Sequence, residues 1–258
     1  GPNLGFRFPR HGETIARMDI TGETVLVTGA SGNIGQGIAR RLAEAGAMVV
    51  VHCYRDRESA DRLAGEIDAR LVVQGDLGDA VAVDRIIAAA QPTMVVNNAA
   101  AQPVQSLDEM LIGDWQAMMS ANLDGPFLVT QRAAEAWGDS GGAIVNIASI
   151  EASDPAAGHA HYATSKAGLL MFSRAAALEY GPRGIRVNCV SPGLIDCDGL
   201  AEAWPEGVAR WQERAPLRRL GDAKDVADAV LFLLSPAARW ISGANLAVDG
   251  GMSAQSRW

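Results

Sequence analysis

The stretch Thr24–Gly35, TVLVTGASGNIG, decides how this chain reads. A short apolar and β-branched run ends at Thr28, and glycines follow at 29, 32 and 35. Such a run suits a strand buried on both faces, and the glycines suit a tight turn into a helix. Ile34, Ile38, Leu42 and Ala45 then share one helical face. A glycine turn from strand to helix lets backbone N–H groups approach a pyrophosphate at the helix N-terminus. Gly29, Ser31, Asn33, Ile34 and Gly35 are the candidate contacts. The same turn could also serve only to reverse the chain.

Outward from this turn the alternation repeats. Further strands are expected at Met48–His52, Arg70–Gln74, Met94–Asn97, Ala143–Ala148, Ile185–Val190 and Asn245–Val248. Helices are expected at Ile34–Ala45, Glu58–Ile67, Asp79–Ala89, Leu107–Trp137, His161–Tyr180 and Lys224–Leu234. Strand–helix alternation of this kind predicts an α/β fold: a single domain, residues 22–253, built on a doubly wound parallel sheet of Rossmann type. One segment breaks the rhythm. Leu194–Arg219 is longer than a crossover needs, and reads as a substrate lid or as an oligomer contact. Gly199, Pro205 and Gly207 are expected to interrupt helix there.

The 258 residues fit one such domain. Hydrophobic residues make up 48% and charged residues 20%, which excludes a disordered chain and a coiled coil. A net charge of -8 argues against nucleic-acid binding, which needs clustered Lys and Arg. The densest apolar run, Ala229–Leu234, is too short to span a membrane. Cys53, Cys189 and Cys197 show neither a disulfide framework nor metal-ligand spacing, so no metal is expected and a reducing cytoplasm is. Residues 1–21 read as an arm, disordered or partly a cloning remnant.

After the second strand, the place where dinucleotide folds often carry an acid falls near Cys53. Tyr54 and Arg55 follow instead. A guanidinium suits a 2′-phosphate, which favours NADP(H) over NAD(H). Asp56 would oppose that choice if its carboxylate shared the site, and Arg55 also reads as a solvated loop charge.

Lysine is rare: Lys166 and Lys224 are the only two among 22 basic residues. Lys166 follows Tyr162 by four positions, one turn along the same helical face. There its ammonium is expected to lower the phenol from about 10 toward neutrality, so that the oxygen exchanges a proton with a carbonyl or alcohol. The two could also be neighbours without chemistry. Ser149 ends the preceding strand, at the carboxyl edge where ligands bind. Asn122 falls inside the long helix, where its low propensity calls for either solvent or a task.

Together these residues resemble the classical short-chain dehydrogenase/reductase family, over about Asp19 to Met252. The resemblance rests on Thr28–Gly35, Asp76-Leu77, Asn97-Asn98-Ala99, Asn122 and Ser149. It continues through Tyr162-Ala-Thr-Ser-Lys166, Ser191-Pro192-Gly193 and Val248-Asp249-Gly250-Gly251. It implies Tyr162 as general acid/base, with Ser149 polarising the substrate oxygen. Lys166 would hold the nicotinamide ribose, and Asn122 would anchor a water joining Lys166 to solvent. Asp76 and Leu77 would flank the adenine, and Asn98, Ala99 and Ala100 would line the adenosine ribose. Pro192, Gly193 and Ile195 would cradle the nicotinamide, with Cys197 in place of a frequent threonine at its carboxamide. Asn33 and Ala100 stand where the family has glycine, and Asn33 is expected to tolerate unusual backbone angles.

The resemblance implies an NADP(H)-dependent oxidoreductase interconverting a carbonyl, of ketone or 3-oxoacyl type, with a secondary alcohol. The alternatives are a pteridine-reductase-like enzyme, on the likeness of His52–Arg55, and a non-catalytic NADP(H)-sensing or scaffolding member. Pteridine reductases usually carry Asp where Ser149 stands, and a non-catalytic member is expected to lose Tyr162 or Lys166. Glu151, His159, Trp204 and Trp211 are the candidate substrate contacts, for a small carbonyl or alcohol. The tryptophans read equally as lid or interface packing. A homotetramer of D₂ symmetry is expected through the longest helices, which would otherwise leave Met118, Leu128 and Phe172 partly uncovered.

Overall fold

A computed structural model describes residues 18–254. Its strands are β1 (Thr24–Val27), β2 (Met48–Cys53), β3 (Leu71–Gln74), β4 (Met94–Asn97), β5 (Gly142–Ile147), β6 (Ile185–Pro192) and β7 (Asn245–Val248). They form one parallel sheet in the order β3-β2-β1-β4-β5-β6-β7. The order reverses between β1 and β4, so the loops leaving these strands open a crevice at the carboxyl edge.

Alternation along each strand builds two cores. Val25 and Val27 of β1 face one core with Val49 and Val51, beneath α1 (Asn33–Glu44) and α9 (Ala223–Leu234). Leu26 and Val50 face the other, beneath α3 (Ala80–Ala90) and α5 (Gly125–Trp137). The remaining helices are α2 (Arg57–Glu66), α4 (Ile112–Met119), α6 (Ala160–Tyr180), α7 (Leu200–Ala203) and α8 (Pro205–Arg214).

Three expectations are corrected. The single helix expected over Leu107–Trp137 is a 3₁₀ turn at Leu107–Glu109, then α4, a π turn at Ser120–Asp124, and α5. Pro126 has no N–H, so the carbonyl of Asn122 lacks its ordinary α-helical donor, and the helix widens there. In the expected lid, Pro205 opens α8 rather than breaking it, because the first turn needs no proline N–H. Gly207 lies buried inside α8 under the Trp204 ring. Finally, the N-terminal arm is shorter than the expected residues 1–21. Ile20 is buried in the first core and Met18 packs against it, so the fold is joined by residue 18. Residues 1–17 lie outside the described residues. Among the described residues no helix is long and apolar enough to cross a membrane, and no side-chain group could hold a metal.

Candidate active site

The crevice begins at the glycine turn, which is laced to the loop after β4. Thr28 Oγ1 accepts from the N–H groups of Asn98 and Ala99 at 2.9 and 3.0 Å. Asn98 Nδ2 donates to the carbonyls of Thr28 and Gly29, each at 3.0 Å. Gly29 has φ of +60°, and a Cβ there would stand 2.7 Å from Ala99 Cα, so both angle and space require glycine. At Gly32 a Cβ would meet only the Gly29 carbonyl at 3.5 Å, so this flank of the turn is open to a phosphate. Asn33 begins α1 without a positive φ, so no unusual angle has to be tolerated. Its side chain instead donates to the Asp196 carbonyl at 2.7 Å, tying the turn to the segment that follows β6.

Sequence reading missed His52. Fully buried at the end of β2, it accepts from Gly29 N–H through Nδ1 and donates from Nε2 to the Gly75 carbonyl, both at 3.1 Å. Burial pushes its pKa down to about 4, so the ring is neutral and pins the glycine turn to the end of β3.

Tyr54 and Arg55 are exposed just beyond β2, with the guanidinium 4.7 Å above the Tyr54 ring. Asp56 turns away from them to cap α2, accepting from Ser59 N–H at 3.0 Å. Asp76 is exposed after β3 and accepts from Gly78 N–H, whereas the Leu77 side chain is buried in the second core and offers a ligand only its main chain. Ala100 is exposed, at no positive φ, so its methyl group costs no strain.

Ser149, Tyr162 and Lys166 lie across the crevice. Ser149 leaves β5 and accepts from Glu151 N–H at 3.1 Å. Tyr162 and Lys166 stand one turn apart on α6, and the Ser149 side chain lies near enough to the Tyr162 phenol to favour its ionised form. Lys166 is buried and donates to the Ile147 carbonyl at 2.8 Å. Asn122 binds both polar groups of Ala101 and donates to Ser165 at 3.1 Å, so its side chain fastens the β4 loop and α6. Its main-chain carbonyl is the one that Pro126 leaves without an α-helical donor.

The expected depression of the Tyr162 pKa is overturned in the chain by itself. Burial pushes the phenol up to about 12, the nearby Ser149 hydroxyl working against this and the Glu151 charge adding to it. Burial also pulls Lys166 down to about 8. Its ammonium sits 5.7 Å from the Tyr162 ring centroid and is bonded elsewhere, which is why it does not tune the phenol unaided.

Opposite these residues, Gly193 N–H donates to the Val248 carbonyl at 2.9 Å, and Ile195 pairs with Gly221. Cys197 is exposed beside them. Trp211 closes onto Gly193, where a Cβ would come within 2.7 Å of its ring, while Trp204 packs over Gly207 inside the lid segment. Glu151 and His159 join each other at 2.8 Å beside Tyr162. A dinucleotide fits this arrangement on three counts. The helix N-terminus is open at Gly32. The buried Lys166 ammonium uses one of its three donors on the protein. The Arg55 guanidinium has no carboxylate partner among the described residues.

The sheet order, the glycine turn and the Ser149–Tyr162–Lys166 group define a dinucleotide-dependent oxidoreductase. The chain belongs to the classical short-chain dehydrogenase/reductase family. A family model described as Enoyl-(Acyl carrier protein) reductase matches residues 29–253. The chain is 36% identical over 248 residues to 3beta-hydroxysteroid dehydrogenase 1 of Eggerthella lenta, covering 91% of this chain and 95% of that protein. It is 38% identical over 246 residues to L-rhamnose 1-dehydrogenase (NAD(P)(+)) of Azotobacter vinelandii, covering 89% and 96%. Its fold matches a gluconate 5-dehydrogenase from Burkholderia cenocepacia, solved with NADP and tartrate. That match has a TM-score of 0.87, 30% identity, and coverage of 94% of this chain and 100% of the other. The chain is thus an oxidoreductase of alcohol and carbonyl groups.

Proposed function

We propose that this chain is an NADP(H)-dependent oxidoreductase that interconverts a ketone or 3-oxoacyl carbonyl with a secondary alcohol, using Tyr162, Ser149, Lys166 and Asn122. The observation that carries the reading is that Ser149, Tyr162 and Lys166 are brought together and buried at the carboxyl edge of the sheet, with an ammonium that has donors to spare. The bound nicotinamide supplies or takes up the hydride. Every other task falls to side chains. The Ser149 oxygen accepts from Glu151 N–H, so its single proton can turn from the Tyr162 phenol to a substrate oxygen that enters between them. Tyr162 is held in its protonated form by burial, ready to protonate the oxygen of a reacting carbonyl. In the oxidative direction a cationic nicotinamide and the Lys166 ammonium together would favour the phenolate. Lys166 would hold the ribose hydroxyls with its two remaining donors, while Asn122 keeps the β4 loop and α6 in register behind it.

The choice of NADP(H) is supported by Arg55, stacked on Tyr54 and clear of Asp56, and by the NADP in the Burkholderia relative. Free thiols at all three cysteines support a cytoplasmic setting. A homotetramer is supported by exposed apolar residues on α5 and α6. The direct test is Tyr162→Phe, assayed with a panel of ketones and alcohols and both nicotinamide cofactors. The variant should bind cofactor as wild type does and lose turnover by roughly 10²–10⁴-fold, the usual worth of general acid–base catalysis. Near-normal turnover would remove Tyr162 from the mechanism.

A further inference from the structure

Beside the proton-transfer pair stands a polar group that hydride transfer to a simple ketone does not use. Glu151 sits in the 3₁₀ turn Ile150–Ala152, two positions beyond Ser149 and tied to it through its backbone N–H. Its side chain is 16% exposed and that of His159 is 14% exposed, so the pair is largely withdrawn from water. The His159 ring meets the Tyr162 ring edge to face at 5.8 Å. The Glu151 charge also reaches Tyr162 and opposes ionisation of its phenol. A half-buried carboxylate beside this tyrosine is held in place by its own hydrogen-bond partners.

Those partners leave part of the carboxylate unused. An ionised carboxylate only accepts, with about four sites on its two oxygens. Oε2 takes His159 Nδ1 at 2.8 Å and, at 3.4 Å, the N–H of Ala156. Oε1 has one long contact, 3.4 Å from Gln102 Nε2. Acceptor capacity therefore remains on Oε1, on a residue whose backbone is bonded to Ser149 and whose His159 partner packs on the Tyr162 ring.

We infer that Glu151 is a specificity-determining residue for substrates that carry a second hydroxyl next to the reacting carbon: neutral vicinal diols and the hydroxy ketones they yield. This deepens the oxidoreductase reading of the same site and rests on it. The second hydroxyl donates to Oε1, and His159 fixes the carboxylate as a positioning residue. An ammonium would also suit a carboxylate, but the oxidised nicotinamide is a cation beside the same carbon and disfavours it. An anionic substituent there is repelled by Glu151 itself.

The test uses purified full-length protein, NADP⁺ and NAD⁺ in turn, and four matched ring probes. These are cyclohexanol, cis- and trans-cyclohexane-1,2-diol, and 2-aminocyclohexanol. One diol isomer should exceed cyclohexanol in kcat/KM by at least about tenfold, chiefly through KM, as expected for one hydrogen bond to a charged group. Glu151→Gln should lower that diol-to-cyclohexanol ratio, and Glu151→Ala should bring it near unity. His159→Ala should raise KM for the diol in the same direction. Dinucleotide affinity, followed by fluorescence titration, establishes that each variant is folded. A ratio that survives Glu151→Ala, or a preference for the amino alcohol, overturns the inference while cyclohexanol turnover leaves the oxidoreductase reading standing. Wild-type protein that turns over none of the probes also overturns the inference. If it binds neither dinucleotide as well, the oxidoreductase reading falls with it.

Discussion

His52 shows how one side chain can couple the cofactor crevice to pH. Its neutral ring accepts from Gly29 and donates to Gly75, and burial holds its pKa at about 4. In the unfolded chain a histidine titrates near 6.5, so between these values the unfolded state binds the extra proton. The stabilisation is complete above pH 6.5 and is lost as the pH falls toward 4, by roughly 3 kcal/mol in all. Urea denaturation from pH 7 to pH 4 should show that slope, and His52→Leu should reduce it by about one proton. An unchanged slope in the variant would place the titration elsewhere. Arg55 offers a second residue-level test. With Asp56 committed to the α2 cap, Arg55→Ala should weaken NADPH binding by about 1.5–3 kcal/mol, as for a charge-assisted hydrogen bond, and leave NADH binding almost unchanged. Equal wild-type affinity for both cofactors would count against it. Tyr162, Lys166 and Ser149 were legible because helical spacing and strand ends are local properties. His52 was not, because its partners lie 23 positions away in each direction. The raised phenol pKa was equally hidden, since burial is a property of the folded chain.

Among the elements, the β-strands could be read closely, because fully buried Val and Ile runs leave little choice of structure. The interrupted helix could not. Its π turn depends on Pro126 and on Asn122 bonding to Ala101, a contact that no periodicity reports. The segment after β6 holds the same lesson, for its prolines and glycines pointed to a broken chain where two helices form. Its ends are firmly fixed. Asp196 N–H donates to the Gly221 carbonyl at 2.8 Å, Gly221 N–H donates to Leu194, and Arg219 grips Asp225 through two nitrogens. Asn33 adds a bond from the phosphate turn. Between these anchors α7 and α8 are short and bury only Gly207 and Val208. Few buried contacts between fixed ends favour local opening, so the segment should act as a lid closing over cofactor. Trp211, packed on Gly193, is its contact with the chain leaving β6. Hydrogen exchange across 197–214 should slow on adding NADPH and slow further with substrate, while 194–196 stays protected throughout. Equal protection of the whole segment without ligand would make it a fixed wall.

At the scale of the whole molecule the question is what covers the apolar surface left by one chain. Met118, expected to be uncovered, is buried and packs against Asn122, so it cannot hold a neighbour. Leu128 and Phe172 are half-buried, and the exposed residues beside them are Phe127, Met171 and Leu178, at 41%, 61% and 80%. Phe127 and Phe172 pack edge to face at 5.9 Å, which joins α5 and α6 into one apolar surface. Leu217 and Leu246, 65% and 37% exposed, line a cleft along β7, on the far edge of the sheet order from β3. Patches of this kind on a monomer would be a solubility liability, and two separate self-complementary surfaces are what a D₂ tetramer requires. Light scattering at micromolar concentration should therefore give four times the chain mass. Met171→Glu together with Leu178→Glu should halve that mass by opening the helical surface. Leu246→Glu should halve it through the other surface. A wild-type monomer would overturn the assembly, and a dimer unaffected by Leu246→Glu would confine it to α5 and α6.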